Sequence, residues 1–173
     1  LRVSGDDAGA FLDSILTRDA TDAAPAAPVY AALLSPQGKL QADLFIHRDA
    51  DGSFRLDIAA DWFTEVSNRL TLMRLRRKAI VEPADDLHVV ADLDPGAGPP
   101  DPRAPDGALG ARLISENADA DTPFAAYEAR RTRAGYPDPA TDAAPEEVFG
   151  LEALLEELHG VDFHKGCFVG QEN

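Results

Sequence analysis

The sequence predicts an α+β fold of antiparallel β-sheet with helices packed on it, on three observations. Short apolar runs of alternating hydropathy are joined by tight turns, helical periodicities fall between groups of strands, and strict strand–helix–strand alternation is missing. Antiparallel strands need only short connections, whereas parallel strands need a crossover after each one.

Leu1 opens a strand-like stretch. Ser4 with Asp7 three residues later reads as a helix start. Ala8, Phe11, Leu12, Ile15 and Leu16 follow at helical spacing and predict an amphipathic helix over residues 6–17. An Ala/Pro-rich loop spans 22–28. Residues 29–35 form an apolar strand, Pro36-Gln37-Gly38-Lys39 a turn, and 40–47 a second strand with Leu40, Ala42, Leu44 and Ile46 on one face. Asp51-Gly52 makes the next turn, after which Phe54, Leu56 and Ile58 alternate. Asp61 is placed to cap a helix running to about residue 75, with Phe63, Val66, Leu70 and Met73 inward. Arg74, Arg76, Arg77 and Lys78 then meet the negative end of its dipole. Strands are expected over 79–82, 87–93 and 109–114. Thr122-Pro123 starts a helix that Gly135 ends, a Pro/Ala loop covers 137–145, and leucines at helical spacing predict a short helix over 151–158.

Residues 94–107 are nearly all Pro, Gly, Asp and Ala, which cannot bury apolar area, so they read as an exposed loop or linker. The chain therefore divides into an α+β half over 1–93, a Pro/Gly-rich connection over 94–108 and a second α+β half over 109–173.

Hydrophobic residues make up 45% of the 173 and charged residues 27%, enough for a packed core. The net charge of -15 repels nucleic-acid phosphates and anionic lipids, so neither direct nucleic-acid contact nor a membrane partner is expected. No apolar run approaches the ~18–20 residues of a membrane span, and no signal-peptide pattern opens the chain. The single cysteine, Cys167, cannot form an internal disulfide, which favours a cytoplasmic setting. His47, His88, His159 and His164 share no metal-ligand spacing with it, so no metal site is expected.

The densest chemical signal is the tail, Phe163-His164-Lys165-Gly166-Cys167-Phe168-Val169-Gly170-Gln171-Glu172. A neighbouring ammonium favours a thiolate, and glycines let backbone approach a ligand. Two readings stand: a functional thiol, or an apolar cysteine buried on a strand between Phe163 and Phe168.

Lys165-Gly166-Cys167-Phe168-Val169-Gly170-Gln171-Glu172 closely resembles the signature of the YgfZ-type family, relatives of the glycine-cleavage aminomethyltransferases that serve iron–sulfur cluster assembly. Tyr127, Arg131, Gly135 and Pro137 fall at the spacings of that family's helix-ending pattern. The stretch from Leu33 to Leu44 is similar to the hairpin shared with the aminomethyltransferases, and residues 3–19 resemble their first helix. The resemblance implies an aminomethyltransferase-like folate-binding domain, with tetrahydrofolate as ligand and iron–sulfur client or assembly proteins as partners. It implies a folate-contacting role for Tyr127, which reads otherwise as a core residue. Arg131 either anchors a ligand carboxylate or pairs with an acid of the chain. Lys165 and Cys167 carry over as the reactive pair, with Gln171 and Glu172 as polar partners.

Two departures stand out. The aminomethyltransferases carry two adjacent acids in the hairpin, one acting on the folate nitrogen. This chain has Ala42-Asp43, and Asp43 is either a folate contact or a surface strand residue. Family members also continue into a C-terminal barrel-like domain absent from this chain. The resulting expectation is a folate-binding accessory factor, linked to transfer-RNA modification through iron–sulfur enzymes. The alternatives are a folate-dependent aminomethyl or C1 transferase and an interaction module that has lost folate binding.

Overall fold

The computed structural model describes residues 1–117 and 122–171. Strand β1 (Arg2–Ser4) leads into helix α1 (Ala8–Asp13), strands β2 (Val29–Leu34), β3 (Leu40–Arg48) and β4 (Phe54–Asp57), helix α2 (Phe63–Met73) and strand β5 (Ile80–Glu82). These strands make one antiparallel sheet in the order β2-β3-β4-β1-β5. Strands β6 (His88–Asp92) and β7 (Ala111–Ser115) form a separate ribbon, followed by helices α3 (Phe124–Ala134) and α4 (Pro139–Asp142). The predicted α+β class holds.

The β2–β4 meander follows from alternation and turn chemistry, and its one irregularity matters. Leu33 pairs with Ala42 but Leu34 pairs with Leu40, which leaves Gln41 as an extra residue. The bulge sends Leu40 to the opposite face from Ala42, where a strict period of two had placed them together. Ala31, Leu33, Ala42, Leu44 and Ile46 pack against Phe11, Leu12, Val66 and Leu70 of α1 and α2. Tyr30, Ala32, Leu34, Leu40 and Phe45 face the other way, onto Ala153, Leu155 and Leu158. The sheet is thus covered on both faces.

Five local expectations change. Ser4 closes β1 instead of capping α1, and the Asp7 carboxylate accepts the Lys78 backbone N–H at 2.7 Å. Asp61 lies in a 3-10 turn (Ala60–Trp62) and makes no cap for α2. Residues 151–158 form successive turns because Leu154 and His159 adopt left-handed backbone (φ 58° and 59°), yet Ala153, Leu155 and Leu158 still bury. The Pro/Gly-rich connection carries no regular element, but it is not an exposed spacer: Asp101, Arg103 and Ala104 are 1%, 3% and 0% exposed. Proline and glycine preclude helix and strand there, and the burial comes from charge pairing that composition does not report. Helix α3 starts one residue later than expected, with Pro123 as its N-cap, and ends at Gly135 in the left-handed region (φ 82°), as the spacing predicted.

Candidate functional site

A cleft of about 380 Å³ opens where β3, β4, the 94–107 loop, β7, α3 and the approach to α4 meet. β3 contributes Asp43 and Phe45 and β4 ends on Asp57. The loop contributes Arg103, β7 Arg112, α3 Phe124 and Tyr127, and the segment before α4 Asp138. Residues from both halves of the chain and from the connection between them build one concavity.

Its floor is a set of matched charges around an aromatic ring. Phe45 lies between two guanidiniums, Arg112 at 3.9 Å and Arg103 at 4.8 Å from the ring centroid. Each guanidinium has its own carboxylate. Arg103 donates through Nε and Nη2 to Asp101 at 3.0 and 2.8 Å. Arg112 donates through Nε and Nη2 to Asp57 at 2.6 and 3.0 Å. Burial works against both charges, but these carboxylates dominate and hold both arginines above their ordinary range. Arg103 also donates to the Tyr127 hydroxyl at 2.6 Å. The phenolic oxygen accepts from the guanidinium, so its own proton is free to point elsewhere in the cleft.

Asp43 is different. It is buried, and its partner is the Tyr30 hydroxyl, which donates at 3.1 Å. Its carboxyl is raised to about 6, mainly by desolvation and further by the Asp138 charge, against Arg103 and the Tyr30 hydrogen bond, which favour the anion. Tyr30 is itself raised well above its ordinary value, first by burial and then by the Asp43 charge. The site therefore offers a buried acid that changes protonation near neutrality, a fixed phenol donor and an aromatic rim, which suits a flat, polar-edged heterocycle.

Of the residues singled out in the sequence, the structure brings Asp43 and Tyr127 together in this cleft. Asp43 is no surface strand residue. Arg131, one turn after Tyr127, is turned to its own chain: Nε and Nη2 donate to Glu128 at 2.7 and 2.8 Å, and Nη1 and Nη2 donate to Asp142 at 2.9 and 3.1 Å. These bonds hold its charge firmly, Glu128 contributing most. The sequence pattern missed Phe45, Asp57, Arg103, Arg112 and Asp138. Only Phe45 carried a trace of signal, as an alternating apolar position on the face of Asp43.

The described tail residues, 163–171, do not line the cleft. Lys165 is a clamp with a side chain only 2% exposed: its ammonium donates to the Asp13 and Leu16 carbonyls at 2.6 and 2.7 Å and lies 2.9 Å from the Asp13 carboxylate. It thereby satisfies carbonyls at the end of α1. Gly170 (φ 84°) presses on the β2–β3 turn, where a Cβ would stand 2.5 Å from the Ser35 carbonyl oxygen. Gln171 exchanges bonds with Phe168 at 3.3 Å. Between these anchors Cys167 is exposed and lies on no strand, which removes the buried-cysteine reading. Lys165 is spent on carbonyls and Asp13. Glu172 lies outside the described residues. Among the described residues no group of three or more His, Cys, Asp or Glu could hold a metal ion, and no helix is long and apolar enough to cross a membrane.

No family model matches the chain. It is 34% identical over 200 residues to the mitochondrial iron–sulfur cluster assembly factor IBA57 homolog of Mycosarcoma maydis, covering 99% of this chain and 50% of that protein. It is 32% identical over 209 residues to human IBA57, covering 99% of this chain and 58% of the relative. With the homolog of Neurospora crassa it shares 29% over 208 residues, 99% of this chain and 47% of that one. The chain thus spans about half the length of the curated relatives it matches. Among solved structures, the glycine cleavage system aminomethyltransferase T of Bartonella henselae aligns with a TM-score of 0.43 and 24% identity, over 46% of this chain and 22% of that one. The cytoplasmic expectation is corrected: these IBA57 relatives are named as mitochondrial. A lone cysteine excludes an internal disulfide but does not distinguish one reducing compartment from another.

Proposed function

For a chain related over its whole length to the IBA57 homologues, as its resemblance to the YgfZ-type family implied, we propose a folate-binding accessory factor in the assembly or repair of iron–sulfur proteins. The observation that carries the ligand is the convergence of Asp43 and Tyr127 in one cleft with Arg103, Arg112 and Phe45. A reduced pterin is flat, with N–H donors on one edge and a carbonyl acceptor beside them. Asp43 accepts from such an edge and the Tyr127 hydroxyl donates to such a carbonyl. The iron–sulfur role is that of the named relatives, carried to this chain as part of the proposal, with iron–sulfur assembly or client proteins as partners. Any bearing on transfer-RNA modification passes through client enzymes.

A second reading, folate-dependent C1 transfer, is favoured by one observation. Ala42 faces the apolar core at 0% exposure, so an acid there would point away from the cleft and its absence removes nothing from the site. Asp43, with its carboxyl near 6, retains the capacity for proton transfer.

Thermal unfolding of the full-length protein with and without tetrahydrofolate tests the ligand. A concentration-dependent rise in Tm is expected, because a ligand that binds the native state stabilises it by mass action. An unchanged Tm at saturating tetrahydrofolate favours the interaction module instead. Loss of the protein is expected to lower iron–sulfur enzyme activity in cells, with recovery on re-expression.

A further inference from the structure

The cleft holds more carboxylate than it neutralises. Arg112 is paired with Asp57 and Arg103 with Asp101, each by two hydrogen bonds, so neither guanidinium makes an ion pair with a third acid, although both act on Asp43 from a distance. Asp43 has a hydroxyl for a partner, Tyr30. Asp138 lines the same cleft; its backbone N–H and carbonyl are engaged with Asp142 and Thr141, and among the described residues no cation is paired with its carboxylate. Asp61 lies at the mouth. Burial is the main cause that disfavours the Asp43 anion, and the Asp138 charge adds to it against the pull of Arg103. The whole chain adds a net charge of -15 behind the site. Such a concavity attracts positive charge, and the attraction is strongest where water is excluded.

We propose, resting on the folate reading above, that the cleft selects a ring system carrying positive charge and that among reduced folates it favours the 5,10-methenyl form over uncharged tetrahydrofolate. The two share the pterin, the aminobenzoyl ring and the anionic glutamate tail. They differ in the one-carbon bridge between N5 and N10, which gives the methenyl form a delocalised cation. The bridge also closes a ring and changes shape, so charge is read from how the ratio of their affinities responds to salt and to removal of a single carboxylate. Bound in this way, the cation offsets the negative charge of Asp43 and Asp138.

Titration of both forms into the full-length protein at pH 7.5 and low salt, completed before the methenyl form hydrolyses, tests the proposal. The wild type is expected to bind the methenyl form about tenfold tighter or more, a difference of about 1.4 kcal/mol. Asp138→Asn and Asp43→Asn are each expected to shrink that ratio severalfold, and added salt to shrink it in the wild type. Asp138 is half-buried, so its variant keeps the test open where Asp43→Asn fails to fold. Equal affinities, a preference for the uncharged form, or a ratio unchanged in Asp138→Asn overturns this inference alone. Binding of neither form overturns the folate reading and the inference together.

Discussion

Arg103 donates to the hydroxyl of Tyr127 at 2.6 Å across 24 residues of sequence. The arginine comes from the proline-rich connection and the tyrosine from α3, so this bond joins the segment that composition marks as a spacer to the residue most suited to contact the ligand. Both side chains of the Arg103–Asp101 pair are 2% exposed. Removing one partner of a buried pair strands the other charge, at a cost of about 3–5 kcal/mol. Arg103→Met is therefore expected to lower unfolding free energy in urea by that amount and to weaken ligand binding by freeing Tyr127. The double variant Asp101→Asn/Arg103→Met should recover most of the stability but not the binding. Recovery of both would contradict the role given to the bond.

Asp43 predicts a pH dependence with a definite sign. Its folded carboxyl sits at about 6 against about 3.9 in an unfolded chain. Between those values the folded state holds the extra proton, so stability contributed by this group is present below pH 4 and is lost as pH rises through 6. The full loss is about 3 kcal/mol, taken as two units at 1.36 kcal/mol each. Urea titrations from pH 4 to 8 should show Asp43→Asn gaining on the wild type between pH 4 and 6 and running parallel above 7. A constant offset across the range would mean that Asp43 ionises in the folded chain as it does in the unfolded one.

The tail signature is expected to act first as a strap. Lys165→Met loses two charge-assisted bonds to the carbonyls of Asp13, at the end of α1, and Leu16, just beyond it, each worth about 1.5–3 kcal/mol at most when left unmade. Gly170→Ala forces a Cβ against the Ser35 carbonyl from a left-handed backbone, for a cost of about 1–3 kcal/mol. Both variants should speed amide exchange across residues 162–171 and should leave tetrahydrofolate affinity within about twofold, since the strap does not line the cleft. A tenfold loss of affinity in Lys165→Met would place the strap in the ligand site.

The meander was readable because an apolar run at 29–34 and alternating stretches after it are joined by turns that carry Pro-Gln-Gly and Asp-Gly. The bulge at Gln41 was not, since it shifts register without altering composition. The leucines of 151–158 gave a helical period, but with Leu154 left-handed the chain forms successive turns that bury Ala153, Leu155 and Leu158 and leave Leu151 and Leu154 exposed. Tyr127 and Asp43 were legible as candidates because aromatic and acidic residues at those positions match a family pattern. Arg103 and Arg112 were not, because an arginine's function lies in what it meets: Asp101 and Asp57 lie two and 55 residues away, and nothing local separates a buried pair from two solvated charges. Arg131 illustrates the converse, a residue of suggestive spacing that closes on Glu128 and Asp142.

The central claim is that the proposed folate site lies in the cleft between Asp43 and Tyr127 and not at the exposed Cys167. Isothermal titration of tetrahydrofolate into the full-length protein, beside Tyr127→Ala and Cys167→Ala, tests it most directly. Saturable binding that Tyr127→Ala weakens at least tenfold and Cys167→Ala leaves unchanged is the predicted result. No binding by the wild type, or binding lost with Cys167→Ala and kept with Tyr127→Ala, would contradict it.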